Sequence, residues 1–320
     1  MKAMNRLGQL KSFATKATEA ILTLFLIATV TFFMLRALPG GPFDSERALS
    51  PEVRRALESK YGLDDSLPVQ YGRYMFRLAS GDWGESVQHS ARPVVDIIAE
   101  AWPVSIELGL MTLLIAFAIG VPLGLHGAVR SGSLWDRLVM LGAAGSLALP
   151  TFMVGPLLVM VFSFGVPLRL FDGFLPPALW DSPAHMILPV LTLALKPTAV
   201  IARVMRASAL DVVRADYVRT ARAKGLTEAM IVTRHILKNA LIPVFAVSGP
   251  MIAGILSGSF VVETIFAIPG LGRHFVHAIT SRDYALAMAL TMVFAFLLVV
   301  VNLAIDAVYL LLDPRLREEA

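Results

Sequence analysis

The chain has 320 residues, 56% of them hydrophobic and 16% charged, with a mean hydropathy of +0.69, which excludes a soluble globular domain. The absence of cysteine rules out a disulfide framework, a thiolate nucleophile and a Cys-ligated metal. The net charge is +4, and its basic residues gather in particular short connections, a sign of membrane topology and not of a nucleic-acid surface.

A bilayer core about 30 Å thick takes about 20 apolar residues per helix. Hydropathy predicts six spans, at 17–36, 104–127, 137–162, 185–205, 240–262 and 285–311. The first apolar run, Ala20 to Leu35, is longer than the core of a secretory signal, and no small-x-small cleavage site clearly follows it. It is expected to stay as a helix. An even number of spans puts both termini on one side. Lys2, Arg6, Lys11 and Lys16 precede the first span, and the connection after the fourth carries Arg203, Arg206, Arg214, Arg219, Arg222, Lys224, Arg234 and Lys238. The positive-inside rule makes both cytoplasmic. The acidic segment 37–103, with Asp44, Glu46, Glu52, Glu58, Asp64, Asp65, Asp82 and Glu85, is then external. Within it Pro51 to Lys60 reads as a short helix capped by Ser50, between turns at 39–42, 61–62 and 81–84.

Glycines one turn apart, Gly120 with Gly124 and Gly254 with Gly258, allow close helix approach. Ordinary packing within the chain is the plainer reading, and a subunit interface the alternative. Prolines at 122, 150, 156, 189, 197, 243 and 250 fall inside or at the ends of spans, where each removes a helix hydrogen bond. Lys196 lies inside the fourth span beside Pro197. A lysine at a helix centre costs roughly 2.5–3.5 kcal/mol on the insertion scale, which the surrounding leucines and isoleucines offset. It either snorkels or pairs with another helix, or it faces a water-filled pathway; Ser248 and Ser257 are further pathway candidates. Glu263 and Asp306 lie near span ends and read as structural.

From Leu210 to Lys224, helical spacing puts Leu210, Val213, Tyr217 and Ala221 on one face, with Arg219 and Arg222 opposite. Gly225 suits a left-handed terminus, Thr227 a cap, and Glu228 the first turn of a second helix. The result is either a compact cytoplasmic knob or a merely solvated basic connection.

The run RTARAKG at 219–225, followed by Arg234-His235 and Pro243, resembles the EAA loop of ABC importer permeases in its dipeptide and oligopeptide form. In that family the loop is the coupling helix that sits in a groove of the ATPase subunit. Ala221 matches the motif's second alanine and Gly225 its glycine. The usual Glu is Arg219 here, the first alanine is Thr220, and the Leu-Pro step is Leu237-Lys238. Similar motifs run along nearly the whole chain: LPGGPF at 38–43, KYGLD at 60–64, GDWGES at 81–86, PVS at 103–105, ILPVLTLAL at 187–195, GSFVVETIFAIPGLG at 258–272, RDY at 282–284 and DPRLR at 313–317. Together they resemble the B-type permease of an oligopeptide importer, and GPFDSERALSPEV at 41–53 leans the same way.

The resemblance implies an all-α, six-helix membrane protein of the type I ABC importer permease architecture with a partly helical external segment. Its parts would be an N-terminus and first span (1–36), the external segment (37–103), a five-helix core with coupling loop 206–239 (104–312), and a cytoplasmic tail (313–320). It implies a bacterial inner-membrane location with two cytoplasmic termini. The implied partners are a homologous second permease, two ATPase subunits that hold ATP and Mg, a periplasmic or lipid-anchored peptide-binding protein, and membrane lipid, with no nucleic acid. Arg219, Ala221, Arg222, Lys224, Gly225, Leu226, Arg234 and His235 become the expected ATPase-coupling residues. No G-x-x-x-x-G-K-[ST] run is present, so no phosphate cradle is expected in this chain, nor a cofactor or metal; His126, His185, His235, His274 and His277 read as scattered. Related systems for dipeptides, nickel chelates or sugars are the alternatives. A secondary transporter is a remote one, because no inverted repeat or mid-span carboxylate is apparent.

Overall fold

The computed structural model describes residues 2–38, 40–41, 43, 50–89, 92–165 and 174–312, with side chains described between 15 and 305. In chain order the helices are α1 (Lys2–Ala37), α2 (Pro51–Lys60), α3 (Leu67–Ser80), α4 (Val94–Val129), α5 (Leu134–Ala148), α6 (Thr151–Phe162), α7 (Pro183–Val213), α8 (Asp216–Ala223), α9 (Glu228–Met230), α10 (Lys238–Leu256), α11 (Phe260–Ile265), α12 (Leu271–Thr280) and α13 (Tyr284–Leu312). Residues Ile231–Leu237 form a π-helical stretch joining α9 to α10, and β1 (Glu85–Ser86) pairs antiparallel with β2 (Arg92–Pro93). Five helical segments are long and apolar enough to cross a membrane.

The third predicted span, 137–162, is not the straight helix that hydropathy suggests. α5 and α6 meet at a bend of 111°. The cause is local: Leu149 and Pro150 are extended, with ψ of 126° and 137°, and Pro150 has no N–H to continue the α5 ladder. At 1.5 Å per residue the two pieces are about 22 and 18 Å long, each shorter than the hydrocarbon core. α4 departs in the other direction. It starts at Val94, ten residues before the predicted span, and its 36 residues reach about 54 Å, well beyond lipid. The fifth span likewise begins early, at Glu228, and breaks at Ser257–Ser259, where Ser259 Oγ accepts from Val262 N–H (3.3 Å) and caps α11.

The chain forms two compact units. One holds the residues up to Pro103 together with Gly270–Val299, so the described part of 37–103 groups with α1, α12 and most of α13. Ser50 Oγ accepts from Val53 N–H at 3.4 Å and caps α2 with Pro51 in its first turn. α3, which the turn signals concealed, packs on α1 through aromatic rings: Phe32 lies 5.4 Å from Tyr71 and 5.6 Å from Tyr74. The core of this unit includes Val94, Ile97, Leu271, Leu286 and Leu290. Asp283, fully buried, accepts from Ser86 Oγ (2.5 Å), Gln88 N–H and Leu286 N–H. It thereby joins the GDWGES and RDY segments and caps α13.

The histidines are less scattered than expected. His89, not weighed above, lies 6.0 Å from His274 and 5.8 Å from His277, ring to ring. Burial holds the His274 pKa below its ordinary value, with the nearby His89, Arg273 and His277 adding to the effect and Glu100 opposing it.

The other unit holds Val104–Pro269 and the chain from Val300. Here α4 and α7 approach through glycine. A Cβ on Gly124 would fall 2.4 Å from the Ala202 carbonyl oxygen and 2.7 Å from Met205 Cβ, and one on Gly120 would fall 2.8 Å from Ile201. That pair serves packing within the chain, whereas a Cβ on Gly254 would meet nothing within 4 Å. Glu263, with no exposed surface, accepts from Ser105 Oγ at 2.9 Å. The side chain of Asp306 lies outside the described residues.

Because the His274 pKa is lower in the fold than in the unfolded chain, the unfolded chain binds more protons as pH falls through the ordinary histidine range, about 6.5, and stability falls with it. Thermal unfolding in detergent at pH 7.5 and 5.5 is expected to show a larger acid-induced drop in midpoint for wild type than for His274→Gln. Gly124→Val is expected to prevent accumulation of folded protein, while Gly142→Ala, which meets no atom within 4 Å, should express normally; membrane-fraction blots distinguish the two.

Candidate coupling site

α7 ends at Val213, and Arg214 and Ala215 turn the chain before α8 starts at Asp216. The single helix expected over 210–224 is thus two helices, and the turn rotates the buried face. Val218 (0% exposed) and Ala221 (5%) point inward, while Tyr217 is 45% exposed and its hydroxyl accepts from Asn239 Nδ2 at 3.0 Å. Gly225 adopts φ +77°, a left-handed conformation that L side chains rarely enter. Thr227 Oγ1 then accepts from Met230 N–H (3.4 Å), capping α9 as its position predicts.

An ion pair closes the turn. Arg222 Nε donates to Glu228 Oε1 at 2.8 Å, and that bond lifts the Arg222 pKa above its ordinary value. Arg219, Lys224 and Arg234 are exposed, with Arg219 3.6 Å from Asp216; Gly225 is exposed and Leu226 and His235 are half-buried. The knob therefore shows a basic surface and buries a small apolar one.

The apolar surface is continuous with the helices behind it. Val218 and Ala221 share one buried cluster with Ile231 and Ile236 of the π-helical stretch, Met205 and Ala209 of α7, and Ala240 and Val244 of α10, with Leu226 packed against it. Deeper down, Asp136 of α5 receives two hydrogen bonds from Arg206 of α7, Nε to Oδ1 at 2.5 Å and Nη2 to Oδ2 at 2.7 Å, plus one from Gly132 N–H at 2.9 Å. The Asp136 side chain is 2% exposed and that of Arg206 26%. Sequence reasoning treated Arg206 as one loop charge among many and passed over Asp136, although Ser133-x-x-Asp136 before an apolar run is a capping signal. Ser133 Oγ does accept from Asp136 N–H, at 3.2 Å.

The pathway candidates separate. Lys196 is half-buried in α7 with no hydrogen bond or ion pair among the described residues. Ser248 is 2% exposed and its hydroxyl donates its one O–H to the Val244 carbonyl within α10. Ser257, at the α10 terminus, donates to the Gly254 carbonyl.

Removing one partner of a buried ion pair costs about 3–5 kcal/mol. Because the Arg206 end is partly wet, Arg206→Met is expected near the lower bound, and Asp136→Ala nearer the upper; denaturation midpoints of the purified protein test this order.

Comparison with known proteins agrees with this architecture. The model of the binding-protein-dependent transport system inner membrane component matches residues 120–318, and that of the N-terminal part of such components matches 10–109. The chain is 42% identical to the oligopeptide transport system permease protein OppB of Salmonella typhimurium, and 41% identical to that of Escherichia coli, in each case over 96% of this chain and 99% of the relative. It is 41% identical to the dipeptide transport system permease protein DppB of Bacillus subtilis, over 92% of this chain and 94% of that one. Among solved structures, an inward-facing chain of the MetNI methionine ABC transporter shares the fold, with a TM-score of 0.54 at 16% identity, covering 68% of this chain and 97% of that one. The family model and these relatives together span the knob, the helices behind it and the segment before them, and on that footing the chain belongs to the inner-membrane components of binding-protein-dependent transport systems.

Proposed function

We propose that the chain is the permease subunit of an ATP-driven oligopeptide importer, with both termini in the cytoplasm of a bacterial cell, half of the translocation pathway built from its helices, and the knob at 216–238 as the coupling element. The observation that carries this reading is the buried cluster linking Val218 and Ala221 to α7 and α10. A push on the basic face of the knob displaces close-packed side chains, and close-packed interiors transmit displacement instead of absorbing it. ATP and Mg would be held by two partner ATPase subunits, because this chain has no phosphate cradle of the P-loop kind. A second, homologous permease and an external peptide-binding protein would complete the assembly. Oligopeptides are favoured over dipeptides by the OppB relatives, which align over slightly more of both chains than DppB does.

Nucleotide shifts such an equilibrium only by its differential affinity for the two states. Alteration of the knob should therefore change coupling and leave peptide affinity alone. Gly225→Pro, whose ring fixes φ near −65° against the native +77°, and Ala221→Asp, which puts a charge into a buried site, are each expected to abolish peptide uptake while the complex still docks its receptor. Normal receptor-stimulated ATPase activity and uptake in both variants refute the assignment. Single cysteines at Lys224 and Glu52 should label from the cytoplasmic and external sides respectively. Lys196, central in α7 and without a partner among the described residues, is proposed to face the pathway; Lys196→Met is then expected to alter which peptides compete for uptake, and unchanged competition returns it to a packing role.

A further inference from the structure

The first unit contains a cavity of about 370 Å³ at the C-terminal end of α1 and the N-terminal end of α13, roofed by α3 and the 82–87 segment. Its lining residues include three that carry a polar group with no hydrogen-bond partner among the described residues. Gln70 is 8% exposed, and its Nε2 donates to the carbonyls of Leu63 (3.0 Å) and Asp65 (2.7 Å). Two carbonyl partners fix the amide orientation, since the reverse would set oxygen against oxygen. Gln70 Oε1 is therefore an oriented acceptor, and it is buried with no partner. Tyr74 Oη is likewise buried and unpartnered, and burial pushes its pKa up to about 12, with Tyr71 adding, so it remains a donor.

The third group is Arg36. Its guanidinium lies 5.4 Å from the Phe32 ring centre and 5.1 Å from that of Tyr284, and it has neither hydrogen bond nor ion pair among the described residues. An arginine at a helix end ordinarily extends into water; this one is retained between two aromatic faces. Phe32 also stacks on Tyr74 at 5.6 Å, so one buried ring holds the guanidinium and the phenol near each other. Among the described residues no carboxylate neutralises Arg36. Arg77 pairs with Asp82 at 3.6 Å, Arg73 with Asp65 at 2.5 Å, Lys60 rests over Tyr61, and Glu85 is exposed. Met288 and Met292 supply an apolar, adaptable floor.

An unpaired cation and an O–H donor call for an acidic group, the lone acceptor calls for an N–H, and the floor takes carbon. We propose that this cavity binds an acidic group with an adjacent N–H donor, the acid on Arg36 and Tyr74 and the N–H on Gln70 Oε1. Two molecules have that chemistry. One is an ethanolamine phospholipid, whose phosphate lies at the level where membrane helices such as α1 and α13 end. The other is the free carboxyl end of a peptide, a source that rests on the transport reading above.

Native mass spectrometry of the purified, delipidated transporter complex separates them. The probes are phosphatidylethanolamine against phosphatidylcholine, which has no N–H, and a short N-acetylated peptide with a free against an amidated C-terminus. Retention of the ethanolamine lipid or of the free-acid peptide at least tenfold above its control, reduced about tenfold by Arg36→Gln and several-fold by Tyr74→Phe, supports the site and identifies its source. Equal retention of each pair, or retention unchanged in both variants, overturns it. Tyr74→Phe keeps the stack on Phe32 and guards against a result caused by misfolding. Peptide uptake measured on the same complexes reports independently on the transport reading, so that uptake without selective retention removes the site alone.

Discussion

The second unit depends on one buried carboxylate. Asp136 is acceptable in an apolar interior because Arg206 meets both its oxygens and Gly132 N–H takes a further lone pair. The approach of α4 to α7 follows the same region of the fold: a Cβ on Gly124 would meet Ala202, Met205 and Arg206, and one on Gly127 would meet Asp136 itself. Glycines that admit the α7 backbone and a carboxylate that holds its arginine are thus parts of one joint. Remove the small residues and the guanidinium is carried away from its partner; remove the charge and the close approach loses its fixed register.

That joint explains why the exposed knob is more than a decorated loop. Its apolar side is a continuation of the α7 and α10 interior, with Val218, Ala221, Ile231 and Ile236 all nearly or fully buried. Arg219, Lys224 and Arg234 are exposed on the same knob whose other residues belong to that interior. On the eight-residue helix α8 itself, Arg219 is exposed while Val218 and Ala221 are buried.

How much of this was legible beforehand depended on whether the signal was local. Ser50 and Thr227 caps and the left-handed Gly225 each follow from a few neighbouring residues and appear where expected, whereas of the long apolar helices the existence was legible and the ends were not. α3 was hidden because Pro68 and Gly72 interrupt its pattern, although Pro68 sits in the first turn, where its missing N–H does no harm. The bend at Leu149–Pro150 was hidden for the opposite reason: hydropathy is blind to direction, and both arms are equally apolar. Nothing local could join Asp136 to Arg206, 70 residues apart, or Ser86 to Asp283, 197 apart. The rotation of the α8 face came from a two-residue turn at Arg214-Ala215 that helical spacing had simply run through.

The widened turn at Ile231–Leu237 has a consequence for how this chain tolerates length change. A π-helical stretch is what results when one surplus residue is accommodated inside an otherwise regular helix. Deleting one residue there would let the backbone close into ordinary α geometry with α9 and α10 keeping their angular phase, whereas the same deletion farther along α10 would swing every later side chain by about 100°. The stretch is accordingly the place in this helix where descent by insertion and loss leaves the least trace on the rest of the molecule.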